Sequence, residues 1–380
     1  MRVLLTNSWL ADRTGSETWT RDFALALAAR GHEPTLYTMR EGSLADELRG
    51  KGLRVVTRLR ETGPAPDIVH GHHPQGVAAL AHHRGSPGLF VAHDFSAWTD
   101  RPPLLPRFYR YVAVDEPNRE RLLACGTPPE RTRMILNAVD LTRFSPRGPL
   151  PRIPRRALLF SNYAREETYL PAVREACARA GLALDVAGLG CGNSIARPEE
   201  ILGRYDIVFA KARCALEALA TGCAVILCDE WGVGSLVTAT DVDRMRPLNF
   251  GRRLLTRPVT AASLVEEIGR YDADDAAEAS RRLRELAGLD DMVDAFLGLY
   301  EEVLVEHART PARPWSERRA LAAYVMRVSV TGLLVMTPAH ARIRSWALRT
   351  EPFATLLSFR RRLFRRLGRS GYGGRTRGDM

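Results

Sequence analysis

Short apolar runs alternate with amphipathic stretches through the first part of the chain. A short continuous run of β-branched and apolar residues predicts a buried strand, and apolar positions three and four residues apart predict a helix. Strands are predicted at Val3–Thr6, Pro34–Thr38, Leu53–Thr57, Asp67–His72, Leu89–His93 and Tyr111–Val114. Helices are predicted at Ser16–Arg30, Ser43–Lys51, Gln75–His83 and Asn118–Cys125. Regular alternation of the two predicts a doubly wound parallel sheet.

A proline-rich stretch with little periodicity interrupts this pattern around residues 146–155, as is typical of a linker. After it, strands are predicted at Ala157–Phe160, Leu182–Ala187, Tyr205–Ala210 and Ala224–Asp229. The helices of this second series are predicted at Glu167–Ala180, Arg213–Thr221, Ala262–Tyr271, Asp274–Ala287 and Asp291–Val305. The sequence therefore predicts an α/β protein with two Rossmann-like domains, 1–145 and 156–309, a linker at 146–155 and a basic helical extension at 310–380. We expect ligands in the cleft between the domains, at the carboxyl ends of the strands.

The composition is that of an ordinary globular protein, and the positive charge is concentrated near the C-terminal end. With 45% apolar and 26% charged residues, the chain is neither collagen-like nor mainly disordered. Six cysteines are scattered through it, mostly within apolar runs, which is typical of a reduced compartment. The net charge is +11, but residues 311–380 hold 15 arginines against three acids, so the remainder is close to neutral. The basic balance therefore describes an appendage and gives no indication of a nucleic-acid-binding body.

The ends of the chain predict a cytoplasmic protein. The apolar start, Met1–Asn7, is too short for a signal peptide, and Val328–Met336 is about half of a membrane span. Within 340–369, apolar residues share one helix face and arginines surround it, which favours docking on an anionic membrane surface. A solvated helix packed on the body and RNA binding are the alternatives. We expect peripheral attachment at the inner membrane face, a disordered chain end and no specific nucleic-acid partner.

Two short motifs in the first domain stand at strand ends. Gly15 and Ser16 lie between the first strand and the first helix, where amides and the helix dipole favour an anion, although a bare turn explains them equally well. His93 and Asp94 pair a base with an acid that could orient it. The other histidines, clustered between residues 70 and 83, lack a carboxylate or cysteine to complete a ligand set. Helix-end and loop roles are therefore favoured for them, and no metal site is predicted.

The second domain contains the more specific run of candidate residues. Lys211 and Arg213 stand at a strand end and a helix start, where free N–H groups already favour an anion. Glu217 follows one turn later within an apolar face, where a carboxylate needs a partner. A ribose diol would serve, and so would an arginine of the same chain.

Two glycine-rich segments complete the candidate residues. Gly188–Gly192 resembles a dinucleotide-binding loop, but its spacing is wrong and no clean ribose-binding acid follows, so no nicotinamide or flavin is predicted. Gly234, Ser235 and Leu236 belong to a turn that is predicted to lead into a helix. Amides of such a turn could hold a pyrophosphate, with an ordinary turn as the alternative.

Taken in order, these features resemble the retaining family-4 glycosyltransferases of the GT-B fold. Besides Gly15-Ser16, the motifs that carry the resemblance are PDIVHGH at 66–72, VAHD at 91–94, MILNAVD at 134–140, LEALATGCAV at 216–225 and LYEEVL at 299–304. The resemblance covers about residues 1–309, and the order and spacing of the motifs are more specific than any one of them.

The resemblance implies transfer of a sugar from a nucleotide-diphosphate donor, with retention and without an obligatory metal or other cofactor. The acceptor would be a glycan, a lipid-linked molecule or a small molecule. By matching positions, Gly15 would lie against the donor phosphate, His93 would face the reacting sugar, and Glu217 would bind the ribose. The amides near Gly234–Leu236 would hold phosphate.

Two departures from the family pattern affect the predicted site. Phe209 stands where the family usually has an acid, and residues 161–167 lack the usual Gly-Arg and Lys-Gly pairs. Charge on a diphosphate leaving group must still be compensated, so Lys211, Arg213 and Arg165 are predicted to supply it. The alternatives to a transferase are a non-catalytic sugar-nucleotide-binding or scaffolding protein with a docking tail, and a sugar-nucleotide epimerase of the same fold.

Overall fold

A seven-stranded parallel sheet forms the first lobe of the protein. The computed structural model describes residues 1–311 and 314–336, and the chain divides into two compact units, Met1–Ala320 and Leu321–Met380. The strands of the first lobe are β1 (Arg2–Leu10), β2 (Glu33–Glu41), β3 (Arg54–Val56), β4 (Ile68–His72), β5 (Gly88–Ala92), β6 (Phe108–Ala113) and β7 (Thr132–Met134). Their spatial order is β3-β2-β1-β4-β5-β6-β7. The order reverses beside β1, and such a switch point opens a crevice for ligands.

Four helices connect these strands. They are α1 (Gly15–Ala29), α2 (Ser43–Gly50), α3 (His73–His82) and α4 (Glu116–Ala124). Helix α1 follows β1 directly, so its N-terminus lies at the switch point of the sheet. Its buried face includes Trp19, Phe23 and Leu27, which recur at helical spacing.

A five-stranded sheet forms the second lobe of the same compact unit. Its strands are β8 (Arg156–Phe160), β9 (Ala183–Ala187), β10 (Ile207–Ala210), β11 (Ala224–Asp229) and β12 (Gly232–Leu236), in the order β12-β11-β10-β8-β9. The helices that follow β8 are α5 (Leu170–Arg179), α6 (Ala212–Thr221), α7 (Val242–Met245), α8 (Ala261–Ile268), α9 (Ala273–Leu286), α10 (Leu289–Arg309) and α11 (Pro314–Met336). Successive residues of β10 enter different cores: Val208 and Ala210 pack on one face, and Ile207 and Phe209 on the other.

Helix α10 returns to the first lobe. Its apolar face, which includes Phe296 and Tyr300, belongs to the same core as Val3 and Leu5 of β1. The ring of Phe296 lies 5.0 Å from that of Phe23 on α1, centroid to centroid. The division predicted from sequence put this helix with the second domain, but its side chains complete the first core.

The structure corrects the local prediction for the Trp231–Leu236 segment. It forms β12, an antiparallel edge strand beside β11, and does not turn into a helix. Gly232 adopts a φ of +154°, and a Cβ there would come within 2.5 Å of the carbonyl oxygen of Arg257. Val233 donates its N–H to the same oxygen at 2.9 Å. The glycine therefore permits a close approach of two backbones instead of forming a turn for an anion.

The predicted fold class of two parallel α/β lobes is confirmed, with one antiparallel edge strand added. In the part of the chain that the structure describes, no helix combines the length and apolar character needed to cross a membrane. The predicted docking segment at 340–369 and the predicted disordered end lie outside the described residues.

A glycine pair lets α3 lie directly on β4, and we expect its loss to destabilise the first lobe. A Cβ on Gly76 would lie 2.6 Å from the Cα of Gly71, where only backbone can move. We expect Gly76→Ala to lower the free energy of unfolding by about 1–3 kcal/mol in urea denaturation, because overpacking exceeds the usual helix gain from alanine.

The matched control is Gly50→Ala at the end of α2, where a Cβ would meet nothing within 4 Å. It should be neutral or stabilising by up to about 1 kcal/mol. Equal stability of the two variants would contradict the proposed close packing.

Candidate functional site

A narrow cleft lies between the lobes, where β1, β8 and β10 end. The first lobe and the connection line it with Arg13, Thr14, Gly15, Thr18, Arg21 and Arg143. The second lobe lines it with Phe160, Asn162, Ser194, Ile195, Ala196, Pro198, Arg213, Cys214 and Glu217. The charged side chains among these residues are four arginines and one glutamate, so the cleft is suited to an anion.

Helix α1 presents its N-terminus to this cleft. The carboxylate of Glu17 accepts a hydrogen bond from the backbone N–H of Thr14 at 2.9 Å, which ties the helix start to its own first turn. Burial raises the pKa of Glu17, although its contacts with Thr14 oppose the rise. The backbone amides of Gly15 and Ser16 have no partner among the described residues, and a Cβ on Gly15 would meet nothing within 4 Å. Two free N–H groups and the positive end of the helix dipole are thus available to a ligand.

Asp22, on α1, is buried and pairs with three arginines. Its Oδ1 lies 2.7 Å from Nη2 of Arg21 and 2.9 Å from Nη1 of Arg143, and its Oδ2 pairs with Arg213. Arg143 belongs to the connection between the lobes and Arg213 to α6, so one carboxylate joins three segments. Desolvation disfavours the charged form, but the guanidiniums of Arg213, Arg21 and Arg143 outweigh it and hold the pKa of Asp22 below its usual value.

Glu217 lies on α6, one turn after Arg213. Nε of Arg213 donates a hydrogen bond to Oε1 of Glu217 at 2.8 Å. Of the two partners considered from sequence, a ribose diol and an arginine of the same chain, the arginine is therefore present. Burial raises the pKa of Glu217, while Arg213 lowers it. Because Glu217 also lines the cleft, its carboxylate remains within reach of a ligand.

The backbone between β10 and α6 is strained. Ala212 has a φ of +49° and donates its N–H to the carbonyl of Phe250, which itself has a φ of +47°. Left-handed non-glycine residues are concentrated at functional sites. The neighbouring Lys211 forms an ion pair with fully buried Asp229 and lies 4.8 Å from the ring centroid of Tyr163. Its ammonium is thus directed at Asp229, and Lys211 does not line the cleft.

His93 follows β5 and lies close to α1, with its ring centroid 5.2 Å from that of Trp19. Its Nε2 is 2.8 Å from Nδ1 of His72. Burial, together with the fields of His73 and Arg213, lowers the pKa of His93 to about 3. The imidazole is therefore neutral at neutral pH and is suited to hydrogen bonding instead of carrying charge.

The carboxylate of Asp94 does not orient His93, which corrects the expected pairing. Its Oδ1 accepts hydrogen bonds from the backbone N–H groups of Ser96 at 2.6 Å and Ala97 at 3.0 Å, so it stabilises its own loop. The acid beside His93 is Asp100, which accepts the backbone N–H of His93 at 3.1 Å. Burial raises the pKa of Asp100 to about 7.

Several predicted donor-binding residues do not reach the cleft. Arg165 is exposed in the loop after β8 and is not part of the cleft wall. Gly234, Ser235 and Leu236 lie in β12, and the amide of Leu236 donates to the carboxylate of buried Glu267 at 2.7 Å. That amide is therefore already occupied.

Sequence reasoning missed Asp22, Arg143 and Asn162. The side-chain amide of Asn162 reaches the carbonyl of Arg13 at 3.5 Å across the cleft. Of these three residues, only Asp22 could have been suspected from sequence. It stands next to Phe23, whose helical spacing predicts burial, and a buried acid needs a cationic partner. Nothing in the sequence indicates which arginines meet it.

The arrangement can bind a small polyanion with a diol-bearing group attached. Amides at the start of α1 and guanidiniums from both lobes would hold the anion, and the Glu217 carboxylate could accept hydrogen bonds from two hydroxyl groups. Within residues 1–311 and 314–336, no group of three histidine, cysteine, aspartate or glutamate side chains could hold a metal ion.

Comparison with known proteins gives one family match. Residues 13–143, which span most of the first lobe and the start of the connection, match the family model described as Glycosyltransferase Family 4. No curated protein matches significantly. The family resemblance expected from sequence is thus matched by this model over most of the first lobe.

Solved structures share the fold at low sequence identity. HepE of Anabaena, in a complex with UDP and glucose, has a TM-score of 0.59 and 13% identity over 79% of this chain and 99% of its own. A glycosyltransferase from Rickettsia africae has a TM-score of 0.59 and 16% identity over 80% of this chain and 98% of its own. Sucrose-phosphate synthase of Thermosynechococcus elongatus has a TM-score of 0.57 and 15% identity over 80% of this chain and 99% of its own. The resemblance to GT-B glycosyltransferases is confirmed at the level of the fold.

Replacing Asp22 should destabilise the protein strongly. Asp22→Asn removes the buried negative charge that compensates three guanidiniums, and we expect the free energy of unfolding to fall by about 3 kcal/mol at neutral pH. Because the folded-state pKa of Asp22 is lowered, its contribution is present above the unfolded pKa of about 3.9 and is lost as the pH falls through the folded value. The difference between wild type and variant in urea denaturation should therefore shrink in acid.

The control is Glu285→Gln, which removes a surface pair with Arg282 in which both side chains are exposed. It should change stability by no more than about 1 kcal/mol. If Asp22→Asn were as mild as this control, Asp22 would not hold the lobes together.

Proposed function

We propose that the protein transfers a sugar from a nucleotide-diphosphate donor to an acceptor in the cleft between its lobes. We further propose that the reaction retains the anomeric configuration and needs no obligatory metal. The observation that carries the proposal is an anion cradle formed by the α1 start at Gly15 and by Arg21, Arg143 and Arg213, with Glu217 beside it. A diphosphate linked to a ribose has the charges and hydroxyls that this set would bind.

Donor binding would rearrange existing ion pairs. Arg213 is shared between Asp22 and Glu217 in the free protein. A diphosphate would compete for this guanidinium, and its movement would release Oε1 of Glu217 to accept a hydrogen bond from the ribose. Asp22 would keep Arg21 and Arg143 as partners and so would remain ionised.

Arginines can also compensate the charge that develops on the leaving diphosphate. Arg143 is held by the buried Asp22 carboxylate before the donor arrives, and Arg213 would already have moved to the diphosphate on binding, so little reorganisation is needed during the reaction itself. The sequence assigned this role to Lys211, Arg213 and Arg165; in the proposal Arg213 keeps it, and Arg143 replaces the other two. This supply of positive charge supports a reaction that does not depend on a metal.

The solved relatives support a nucleotide sugar as donor. The structures of HepE contain UDP with glucose in one case and UDP-glucose in another. For this chain, UDP is therefore the first nucleotide to test. The proposal includes no cofactor beyond the donor itself, and the acceptor remains a glycan, a lipid-linked molecule or a small molecule. Cytoplasmic location and membrane docking through 340–369 stay predictions from sequence.

The arginines that line the cleft are already paired with carboxylates, and this favours one alternative, a non-catalytic sugar-nucleotide-binding protein. Arg13 pairs with Glu47, and the other three arginines that line the cleft pair with Asp22. Phe209, in place of the family's usual acid, is fully buried in a core of the second lobe. Such a protein would bind the nucleotide without transferring a sugar, so binding and turnover have to be measured separately.

Calorimetric titration with UDP, GDP and ADP tests the donor site. We expect one nucleotide to bind to the full chain, and Glu217→Gln to weaken that binding at least tenfold, since the amide is uncharged and its NH₂ group cannot accept a hydrogen bond where the second carboxylate oxygen can. Binding should persist in EDTA because arginines carry the phosphate charge. Turnover of the matching nucleotide sugar with candidate acceptors then separates a transferase from a binder. No binding of any of the three nucleotides would overturn the proposed donor site.

Gly15→Ala tests the phosphate position without disturbing the fold. The added methyl group would occupy open space at the start of α1, so the free energy of unfolding should not fall. It would, however, stand where the phosphate approaches the amides, and we expect nucleotide affinity to drop tenfold or more. Gly85→Ala is the matched control, because its Cβ would also meet nothing within 4 Å. Equal affinity in both variants would exclude a phosphate at Gly15.

A further inference from the structure

Three imidazoles form a column that ends at His93. The ring centroids of His70 and His72 are 4.8 Å apart, and those of His72 and His93 are 4.7 Å apart, with nearly parallel planes in both pairs. His70 and His72 are completely buried, and the indole of Trp19 covers the column with centroids at 5.2 to 5.5 Å. His93 is only half-buried, so the column leads from the core to its accessible end.

A single proton lies between His72 and His93. Nδ1 of His72 and Nε2 of His93 are 2.8 Å apart, so one nitrogen must donate and the other must accept. Burial lowers the pKa values of both groups far enough that both rings are neutral at neutral pH. A neutral imidazole carries one N–H, and the direction of this hydrogen bond therefore fixes the tautomers of both residues together.

The second nitrogen of His72 decides the direction. Its Nε2 is buried and has no hydrogen-bond partner. If His93 donated, His72 would carry its proton on Nε2 as an unpaired buried N–H. The same cluster already contains the unpaired indole N–H of Trp19, so a second unpaired donor would be added there. If His72 donates from Nδ1, its Nε2 carries no proton, and no second unpaired N–H is buried beside the indole, which is the less costly arrangement.

We propose that His72 is a positioning residue that holds His93 in the tautomer with its proton on Nδ1. That nitrogen of His93 has no partner within the described part of the chain and is the one left for a ligand. His93 then offers an N–H donor and not a base. Toward a sugar hydroxyl or a leaving-group oxygen it would donate a hydrogen bond; this last step rests on the proposed function.

Nitrogen NMR of the free protein tests the tautomer directly. The full chain is labelled with ¹⁵N in its histidine rings, and His93→Gln and His72→Leu spectra assign the two residues. Protonated and bare imidazole nitrogens have well-separated shifts. We expect His93 to show a protonated Nδ1 and a bare Nε2, and His72 to show a protonated Nδ1. A protonated Nε2 on His93, or an averaged mixture of tautomers, would overturn the proposal.

The His72→Leu variant then tests the cause. Without the donor at residue 72, the Nε2 signal of His93 should move away from its hydrogen-bonded position, whereas His82→Leu at the exposed end of α3 should leave it unchanged. An unchanged His93 spectrum in His72→Leu would show that another group sets the tautomer. Should this variant fail to fold, the wild-type spectrum still decides. None of these outcomes depends on nucleotide binding, so failure here is distinct from failure of the proposed donor site.

Discussion

The carboxylate of Asp22 is the contact on which the cleft depends. It accepts from guanidiniums of α1, of the connection between the lobes and of α6, and it is almost inaccessible to water. A buried charge of this kind is stable only with its partners in place, so the arginines cannot leave without a substitute. The relative position of the two helix starts, α1 at Gly15 and α6 at Ala212, is thereby linked to one ionised group.

Helix α1 combines three roles because its sides meet different surroundings. Its N-terminus opens to the cleft, Asp22 meets the second lobe, and Trp19 and Phe23 pack against the histidine column and α10. The hydroxyl oxygen of Tyr300, on α10, lies 2.5 Å from Nδ1 of His70 at the inner end of that column. The last helix of the first core is thus connected to His93 through the stacked imidazoles of His70 and His72. This contact and the apolar face of α10 both attach the helix to the first lobe, although it follows the second in sequence.

The elements of both sheets could be predicted because buried parallel strands leave continuous apolar runs between amphipathic helices. The same logic pointed to Arg213 and Glu217, because α6 begins directly after β10, and the structure puts both side chains in the wall of the cleft. The ion-pair partners of these residues could not be predicted. Arg143 and Arg213 lie 121 and 191 residues from Asp22, and no local pattern records such a pairing. The β12 glycines were misread because a glycine that permits two backbones to approach looks the same in sequence as one in an anion-binding turn.

The charges of the cleft are balanced before any ligand arrives, and this sets how a ligand must bind. Free guanidiniums would attract many anions, whereas paired ones release their partner only to an anion that replaces its hydrogen bonds. A diphosphate can do so, and the attached ribose can then occupy the Glu217 oxygen that Arg213 leaves. Selectivity would thus come from the exchange of ion pairs, which a simple phosphate without a diol completes only in part. Lys211 takes no part in this exchange, because leaving Asp229 would expose a fully buried carboxylate without compensation.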